Sequence, residues 1–468
     1  MPPSHYPKES KRLLAERPEV REAVTKAALH FDRNRERAYA EVPIEAWRNY
    51  AAQAKEHVLS RLDDYLLLAE KRLEEKGVVV HYAEGPEDAH RILAEIVRSR
   101  GLKLAVKAKS MLTEELGIRP FLASLGVEVW ETDLGEFIIQ LAEEPPSHIV
   151  GPAIHKSLEE IRRLFTEHLG TPEDAAPEEL AAAARRFLRE KFLKADLGIS
   201  GANFLVAESG TLVLVENEGN IRLTTSLPRV HVAFVGVEKL LSRLEDLAVF
   251  LPLLARAATG QPIGTFVSLI NGPKREDEPD GPEELHVVFV DNGRTAALAD
   301  ERAHVVLRCI RCGACLNACP VYRQTGGHPY GFVYSGPIGE VLAPALLGPK
   351  EAYPLYQAST LCGACGEVCP VKIPIPSLLL YWRHRAAEEG LAPPAERGLI
   401  KAYAEMAVRP HAYRLASKAL RLFPGALKSE AFPLVRAWTR FRAGLEPSPR
   451  PFHELWEEIK DEGAGEDS

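Results

Sequence analysis

The sequence has no excess of positive charge: 58 Lys and Arg stand against 66 Asp and Glu, a formal net charge of −8. Such a chain presents no broad cationic field, which excludes a general DNA or RNA binder. Long apolar runs are also missing. No segment approaches the ~18 apolar residues of a membrane-spanning helix, and the opening "MPPSHYPKESKRLLAERPEV" holds no stretch of the signal-peptide kind. A soluble, cytoplasmic protein without a transmembrane span is expected. Neither G-x-G-x-x-G nor G-x4-G-K-[ST] occurs, so a nucleotide site lacks its usual support. There is no tandem repeat at a period of 20 to 50 residues. Finally, cysteines are few and none is scattered. All seven fall in two short runs: Cys309, Cys312, Cys315 and Cys319, then Cys362, Cys365 and Cys369. A disulfide framework would spread its thiols through a small secreted chain, whereas clusters in a long one point to metal.

What is present suits a globular protein of 468 residues with 46% hydrophobic content. Four parts are expected. Residues 1–60 read as a helical arm or cap packed on the next domain, from the helical spacing in "PEVREAVTKAALHFDRNRERAYA". Residues 61–298 read as an α/β domain. In it "GVVVHYA", "LKLAVKA" and "VEVWETD" are strands separated by helical stretches, the signature of βαβ units and a parallel sheet with helices on both faces. "NFLVAESGTLVLVENEGN" reads as an antiparallel hairpin turning near Ser209 and Gly210 and joining this sheet, followed by a long helix from about Val237 to Ala258. Residues 299–385 hold the cysteines, and 386–468 read as a helical region with an acidic tail. Lys and Arg outnumber Asp and Glu by 13 to 6 over 377–450, and the ratio reverses to 1 against 7 over 451–468. This asymmetry is read as a solvated helical face; docking to a companion subunit or to a peripheral anionic membrane surface is the alternative.

"CIRCGACLNACP", residues 309–320, has the form C-x2-C-x2-C-x3-C-P. That is the run of bacterial two-cluster ferredoxins, in which three thiolates hold one cubane and the fourth reaches across to a second. Zinc normally takes pairs of ligands separated by a longer spacer and is set aside. The later run "STLCGACGEVCP" aligns on the first by its final C-P. Cys369 then matches Cys319, Cys365 matches Cys315, Cys362 matches Cys312, and Ser359 stands where Cys309 does. With crossed ligation, cluster 1 takes Cys309, Cys312, Cys315 and Cys369, and cluster 2 takes Cys319, Cys362 and Cys365, which leaves one iron corner open. That corner could bind the Ser359 hydroxyl, water or a histidine, lose its iron to leave a [3Fe-4S] cluster, or stay free for chemistry. A [4Fe-4S] cluster with a non-cysteine fourth ligand is favoured over [3Fe-4S]. The motifs supply an electron relay and no acid, base or group-transfer cofactor. Arg308 and Arg311 flank the first loop and are read as ordinary surface charges, with tuning of the cluster as the alternative.

Elsewhere, Lys107, Lys109 and Ser110 lie where a strand ends and a helix begins near Met111, a candidate anion site that shares its low specificity with the glycines and hydroxyls of "AESGTLVLVENEGNIRLTT". A structural or vestigial version is read ahead of a genuine ligand pocket.

In order, "KAKSMLTEELG", "ETDLGEFIIQL", "PSHIVGPAIHKS", "GISGANFLVAESGTLVLVENEGNIRLTTSLPRVHV", the two cysteine runs ending in "CPVKIP" and a helical tail closely resemble the lactate utilization protein B family over nearly the whole length. The resemblance implies an α/β lactate-utilization (LUD) domain with a mixed sheet, similar to sugar-phosphate isomerase and coenzyme A transferase folds. It implies fusion of that domain to a small α-helical two-cluster ferredoxin-type domain and a family-specific helical C-terminal region. It implies two iron-sulfur clusters on all seven cysteines, with Ser359 in keeping with the family pattern. It also implies a non-catalytic electron carrier that works with companion lactate-utilization subunits in oxidising L-lactate to pyruvate; the competing reading is that the LUD domain is itself an enzyme or sensor for a small carboxylate or acyl-coenzyme A. A transferase-like catalytic glutamate is not placed: Glu208, Glu216 and Glu218 are candidates by position only.

Overall fold

The computed structural model describes residues 2–422 and 448–463. It divides into two compact units, 1–389 and 390–468. The first contains both the α/β core and the cysteine loops.

Its centre is a six-stranded sheet built from β1 (Val79–Ala83), β2 (Leu104–Lys107), β3 (Glu128–Glu131), β4 (Leu197–Ser200), β7 (Val230–Gly236) and β10 (Glu284–Val290), in the order β1-β10-β7-β4-β2-β3. Every pairing is parallel; Val232 of β7, for example, lies opposite His286 of β10 and Ile199 of β4. All seven residues of β7 and all four of β4 are buried, as expected of strands covered on both faces. Alternate side chains serve two cores. Val230, Val232 and Phe234 pack with the helices Pro86–Arg100 and Ile118–Ser124, while Ala233 and Val235 pack with Val58, Leu62, Ala69 and Leu73 on the opposite face. The covering helix Pro86–Arg100 starts on a proline and ends at Gly101 with φ 61°, the usual start and stop for a surface helix.

The expected hairpin forms, with β5 (Phe204–Val206) antiparallel to β6 (Thr211–Glu216). It does not join the main sheet. It belongs to a second, four-stranded sheet, β8-β5-β6-β9, with β8 (Leu240–Leu241) and β9 (Phe266–Ile270). The mixture of parallel and antiparallel pairing therefore lies in this second sheet. The long helix expected from Val237 is likewise shorter, running Leu247–Thr259, because Leu240 and Leu241 pair instead with Leu205 and Val206.

The N-terminal helices clasp more than the α/β domain. Helix Pro18–Ala40 packs on Leu247–Thr259 and also on the helices that follow the first cysteine loop. Arg48 donates to the carbonyls of Cys369 (3.0 Å) and Glu367 (2.7 Å). In the second unit the helices Pro394–Ala407 and Pro410–Leu422 pack together, and Phe452–Gly463 is also helical. Part of the basic stretch (423–447) and the end of the acidic tail (464–468) lie outside the described residues. Among the described residues no helix is long and apolar enough to cross a membrane.

Candidate iron-sulfur centre

Both cysteine loops use one backbone device. Arg311 (φ 62°) and Gly313 (φ 77°) flank Cys312, and Leu361 (φ 56°) and Gly363 (φ 92°) flank Cys362. Two left-handed residues around a cysteine fold the loop tightly enough for successive thiols to face inward, before the short helices Ala314–Ala318 and Ala364–Glu367 carry the chain away. Gly313 is also required by space: a Cβ there would lie 3.2 Å from Cε1 of His148.

All seven thiols are free. Cys312, Cys315, Cys319, Cys365 and Cys369 are buried, Cys309 is half-buried and Cys362 is exposed. The fold brings them into two electrostatic neighbourhoods. Cys309, Cys312, Cys315 and Cys369 interact with one another, and so do Cys319, Cys362 and Cys365; Cys315 and Cys365 join the two. Cys369 thus sits with the first loop although it ends the second. A tetrahedral zinc site with bonds of about 2.3 Å would hold its sulfurs only about 3.8 Å apart. Among the described residues no three thiol sulfurs come within 4.8 Å of one another, a spread that suits a cluster with one thiolate on each iron.

Burial pushes the Cys369 thiol up to about 11 and those of Cys319 and Cys365 up to about 12, with Glu340 and neighbouring thiols adding to the last two. Such thiols hold their protons unless a metal displaces them, so loading releases protons and contributes folding energy. Backbone N–H groups already point at sulfur: Arg311 to Cys309 (3.4 Å), Tyr322 to Cys319 (3.5 Å) and Ile373 to Cys369 (3.3 Å). Bonds of this kind stabilise anionic sulfur and raise a cluster's potential. The residues present fit the group.

Ser359 is half-buried, and its Oγ accepts from the Leu361 N–H (3.2 Å), which holds Leu361 in its left-handed conformation. A second oxygen near the three-thiol group went unnoticed in the sequence. Glu340, on the helix Gly336–Leu347, is fully buried and interacts with Cys319 and Cys365. Its Oε1 accepts from Tyr330 (3.3 Å), its Oε2 has no partner among the described residues, and burial raises its carboxyl to about 8.

Arg311 is not the surface charge expected. Its side chain is only 8% exposed, lies 4.2 Å over the Tyr334 ring, and reaches Glu238 Oε1 at 3.3 Å. Glu238 Oε2 accepts from Arg294 (2.6 Å), and Arg294 grips Glu115 with both Nη1 (2.8 Å) and Nη2 (2.9 Å). Tyr334 donates to the same Glu115 at 2.6 Å. This buried chain of charges ties the first cysteine loop to the carboxyl end of the parallel sheet. Residues 115, 238, 294 and 311 are too far apart in sequence for any spacing to have announced it. Arg308, by contrast, makes a half-exposed pair with Glu56 at 2.7 Å.

At that sheet edge lies a cavity of about 280 Å³. Lys109, Ser110, Glu216 and Glu218 line it, as do Arg311, Cys312 and Tyr334 from the cysteine segment. Lys107 does not. It is completely buried and paired with Glu114 and Glu131, each at 2.9 Å, so it belongs to a closed ionic cluster and not to an anion site. Glu208 is exposed, caps the Leu244 N–H (2.6 Å), and is not among the cavity residues.

Three families match in chain order: the LUD domain over residues 66–290, the 4Fe-4S dicluster domain over 305–373, and the C-terminal domain of lactate utilisation protein B over 385–461. Full-length relatives agree. "Lactate utilization protein B" of Macrococcus caseolyticus is 43% identical over 429 residues, covering 90% of each chain. The chain belongs to the lactate utilization protein B family. Another member, from Geobacillus kaustophilus, is 43% identical over 427 residues (90% of this chain, 89% of that one). An "uncharacterized electron transport protein" of Escherichia coli is 44% identical over 409 residues (87% and 86%). Within the family frame, the dicluster domain spans every cysteine discussed above, the sheet edge falls within the LUD domain, and the cavity is lined by residues of both.

Proposed function

We propose that this chain is the iron-sulfur electron-transfer subunit of a system that oxidises L-lactate to pyruvate, passing electrons from a companion subunit to a downstream acceptor. The observation that carries the reading is the grouping of the thiols, four and three, with Cys369 lent to the first group and Cys319 to the second. Cluster 1 is a [4Fe-4S] centre on Cys309, Cys312, Cys315 and Cys369. Cluster 2 is held by Cys319, Cys362 and Cys365, and its remaining iron has two protein oxygens to draw on, Ser359 Oγ and Glu340 Oε2. The names of the relatives, one for lactate utilization and one for electron transport, support this assignment. Two adjoining one-electron centres suit a relay that accepts the two electrons of a lactate oxidation one at a time.

The test is lactate-dependent reduction of the clusters, followed by EPR in the anaerobically purified protein supplied with its companion subunits. Cys309→Ala and Cys362→Ala are each expected to stop electron transfer to an external acceptor. Undiminished transfer in both variants would overturn the reading.

A second reading, that the LUD domain binds a small molecule of its own, is favoured by one observation: the cavity shares its wall with the first cysteine loop.

A further inference from the structure

The cavity opens beyond the carboxyl ends of β2, β4 and β7, where parallel sheets place their ligands. Its volume of about 280 Å³ falls just under the range of ligand sites, roughly 300 to 1,000 Å³. A small metabolite fits within it.

The lining carries charges of both signs, in two groups. One is Lys239 and Arg311 with Glu238. Lys239 makes no hydrogen bond or salt bridge with any described residue. Arg311 spends Nη2 on Glu238, but its Nη1 is buried with no partner among the described residues. A buried donor left unpaired is costly, so an acceptor is called for there. Glu238 is shared with Arg294 and does not balance both cations, and the other anionic neighbour of the pair is the Cys309 sulfur, which cluster 1 also uses. Lys239 and Arg311 both line the cavity, where the Lys239 ammonium and Arg311 Nη1 stay open to an acceptor. Lys109, the third cation in the lining, is already engaged with the Val150 carbonyl (2.8 Å) and lies 3.9 Å from Asp133.

The second group is Asp133, Glu216 and Glu218, with Lys109 beside Asp133. Both Glu216 oxygens accept backbone N–H groups, from Ile221 (2.6 Å) and Arg222 (3.1 Å). Glu218 Oε2 accepts from Leu134 at 3.2 Å, and burial beside Asp133 raises its carboxyl. This group repels a second negative charge but pairs well with a hydroxyl. A dianion such as phosphate is thereby disfavoured, and a monoanion with a polar, uncharged far end is suited.

We propose that this cavity binds a small monocarboxylate bearing a hydroxyl or keto oxygen, with its carboxylate on Lys239 and Arg311 and its other oxygen toward Glu218. The ligand then lies beside Cys312, in direct reach of cluster 1. The inference deepens the second reading above and rests on the electron-carrier reading only where cluster 1 is concerned.

The experiment is calorimetric titration of the anaerobic full-length protein with L-lactate, with pyruvate and with inorganic phosphate, paired with EPR of reduced cluster 1. Saturable binding of both acids, mutually competitive and tighter than phosphate, is expected. Lys239→Gln, which keeps the stem and removes the charge, should weaken binding by about tenfold or more while iron content is retained. The cluster 1 signal should change shape when either acid is added to the parent protein and stay unchanged in the variant. Absence of saturable binding, phosphate binding as tightly as the acids, or unaltered affinity in Lys239→Gln would each overturn the proposal. Binding that persists in a protein shown to hold no iron would overturn the electron-carrier reading and leave the carboxylate site standing.

Discussion

Cys312 and Cys362 occupy the same place in two loops of the same backbone shape, each between a left-handed residue and a left-handed glycine. Cys312 is buried and Cys362 is exposed. Around the first loop are Arg311, Glu238, Arg294 and Glu115, a continuous buried ionic chain reaching into the LUD domain. Around the second are single contacts to carbonyls, such as Arg48 on Cys369 and Arg383 on Ser359 (3.2 Å). The same cluster-binding loop has thus been given two environments. The first faces inward to a charged network and a cavity; the second faces outward, where an electron partner can approach. Burial and nearby cations also set potential, so under the proposed assignment the two thiol groups form an inner and an outer centre.

The comparison is broken most severely by removing ligands. Cys315→Ala, in the inner group, should abolish cluster 1 and take the iron content from about eight to about four per chain. Cys362→Ala should cost the outer cluster alone, and iron and sulfide analysis checks both. Next is the ionic chain that only the inner loop possesses. Glu238→Gln leaves Arg294 and Arg311 buried without their shared carboxylate, a loss of about 3 to 5 kcal/mol on removing one partner of such a pair. Denaturant unfolding should read it.

The same residue gives a pH signature. Burial by itself would raise the Glu238 carboxyl, but Arg294 and Arg311 hold it down at about 2. Its contribution to stability is whole above the ordinary glutamate range of about 4.3 and is lost as pH falls from there toward 2. Acid unfolding of the parent chain should steepen over that window, and Glu238→Gln should flatten it.

The glycines sharpen the comparison with a smaller effect. Gly363→Ala meets no atom within 4 Å and bears only the strain of φ 92°, about 1 kcal/mol. Gly313→Ala must also displace His148 at 3.2 Å and should cost about 1 kcal/mol more than that. Thermal unfolding of the two variants ranks them. Smallest is Glu56→Gln, which releases the part-exposed Arg308 pair and should change stability by at most about 1 kcal/mol.

These contrasts show what the amino-acid order makes legible. Seven thiols at fixed short spacings declare the metal chemistry, and the crossed ligation of two-cluster ferredoxins leads to the expectation that Cys369 serves the upstream run. The alternation from Val79 to Glu131 declares a parallel sheet. Side-chain partnership across the fold is a different matter. Lys107 and Lys109 look alike at a strand end, and strand alternation would put them on one face, yet β2 ends at Lys107, which enters a closed cluster with Glu114 and Glu131, while Lys109, beyond the strand, reaches the cavity. Arg311 reads as a surface charge because its partner Glu238 is 73 residues away. Glu340 sits in an apolar helix, "GPIGEVLAPALL", whose contact with Cys319 and Cys365 only tertiary packing creates. The hairpin at 204–216 was legible as a hairpin, but its sheet was decided by the two-residue strand Leu240–Leu241, too short to leave a periodic trace.

The proposed exchange of Cys369 and Cys319 between the two loops is put to the sharpest test by Cys369→Ala. EPR of the reduced, anaerobically purified variant is predicted to show the loss given by Cys309→Ala, with cluster 1 altered and the cluster 2 signal intact. A spectrum matching that of Cys362→Ala instead, with cluster 1 preserved, would contradict it.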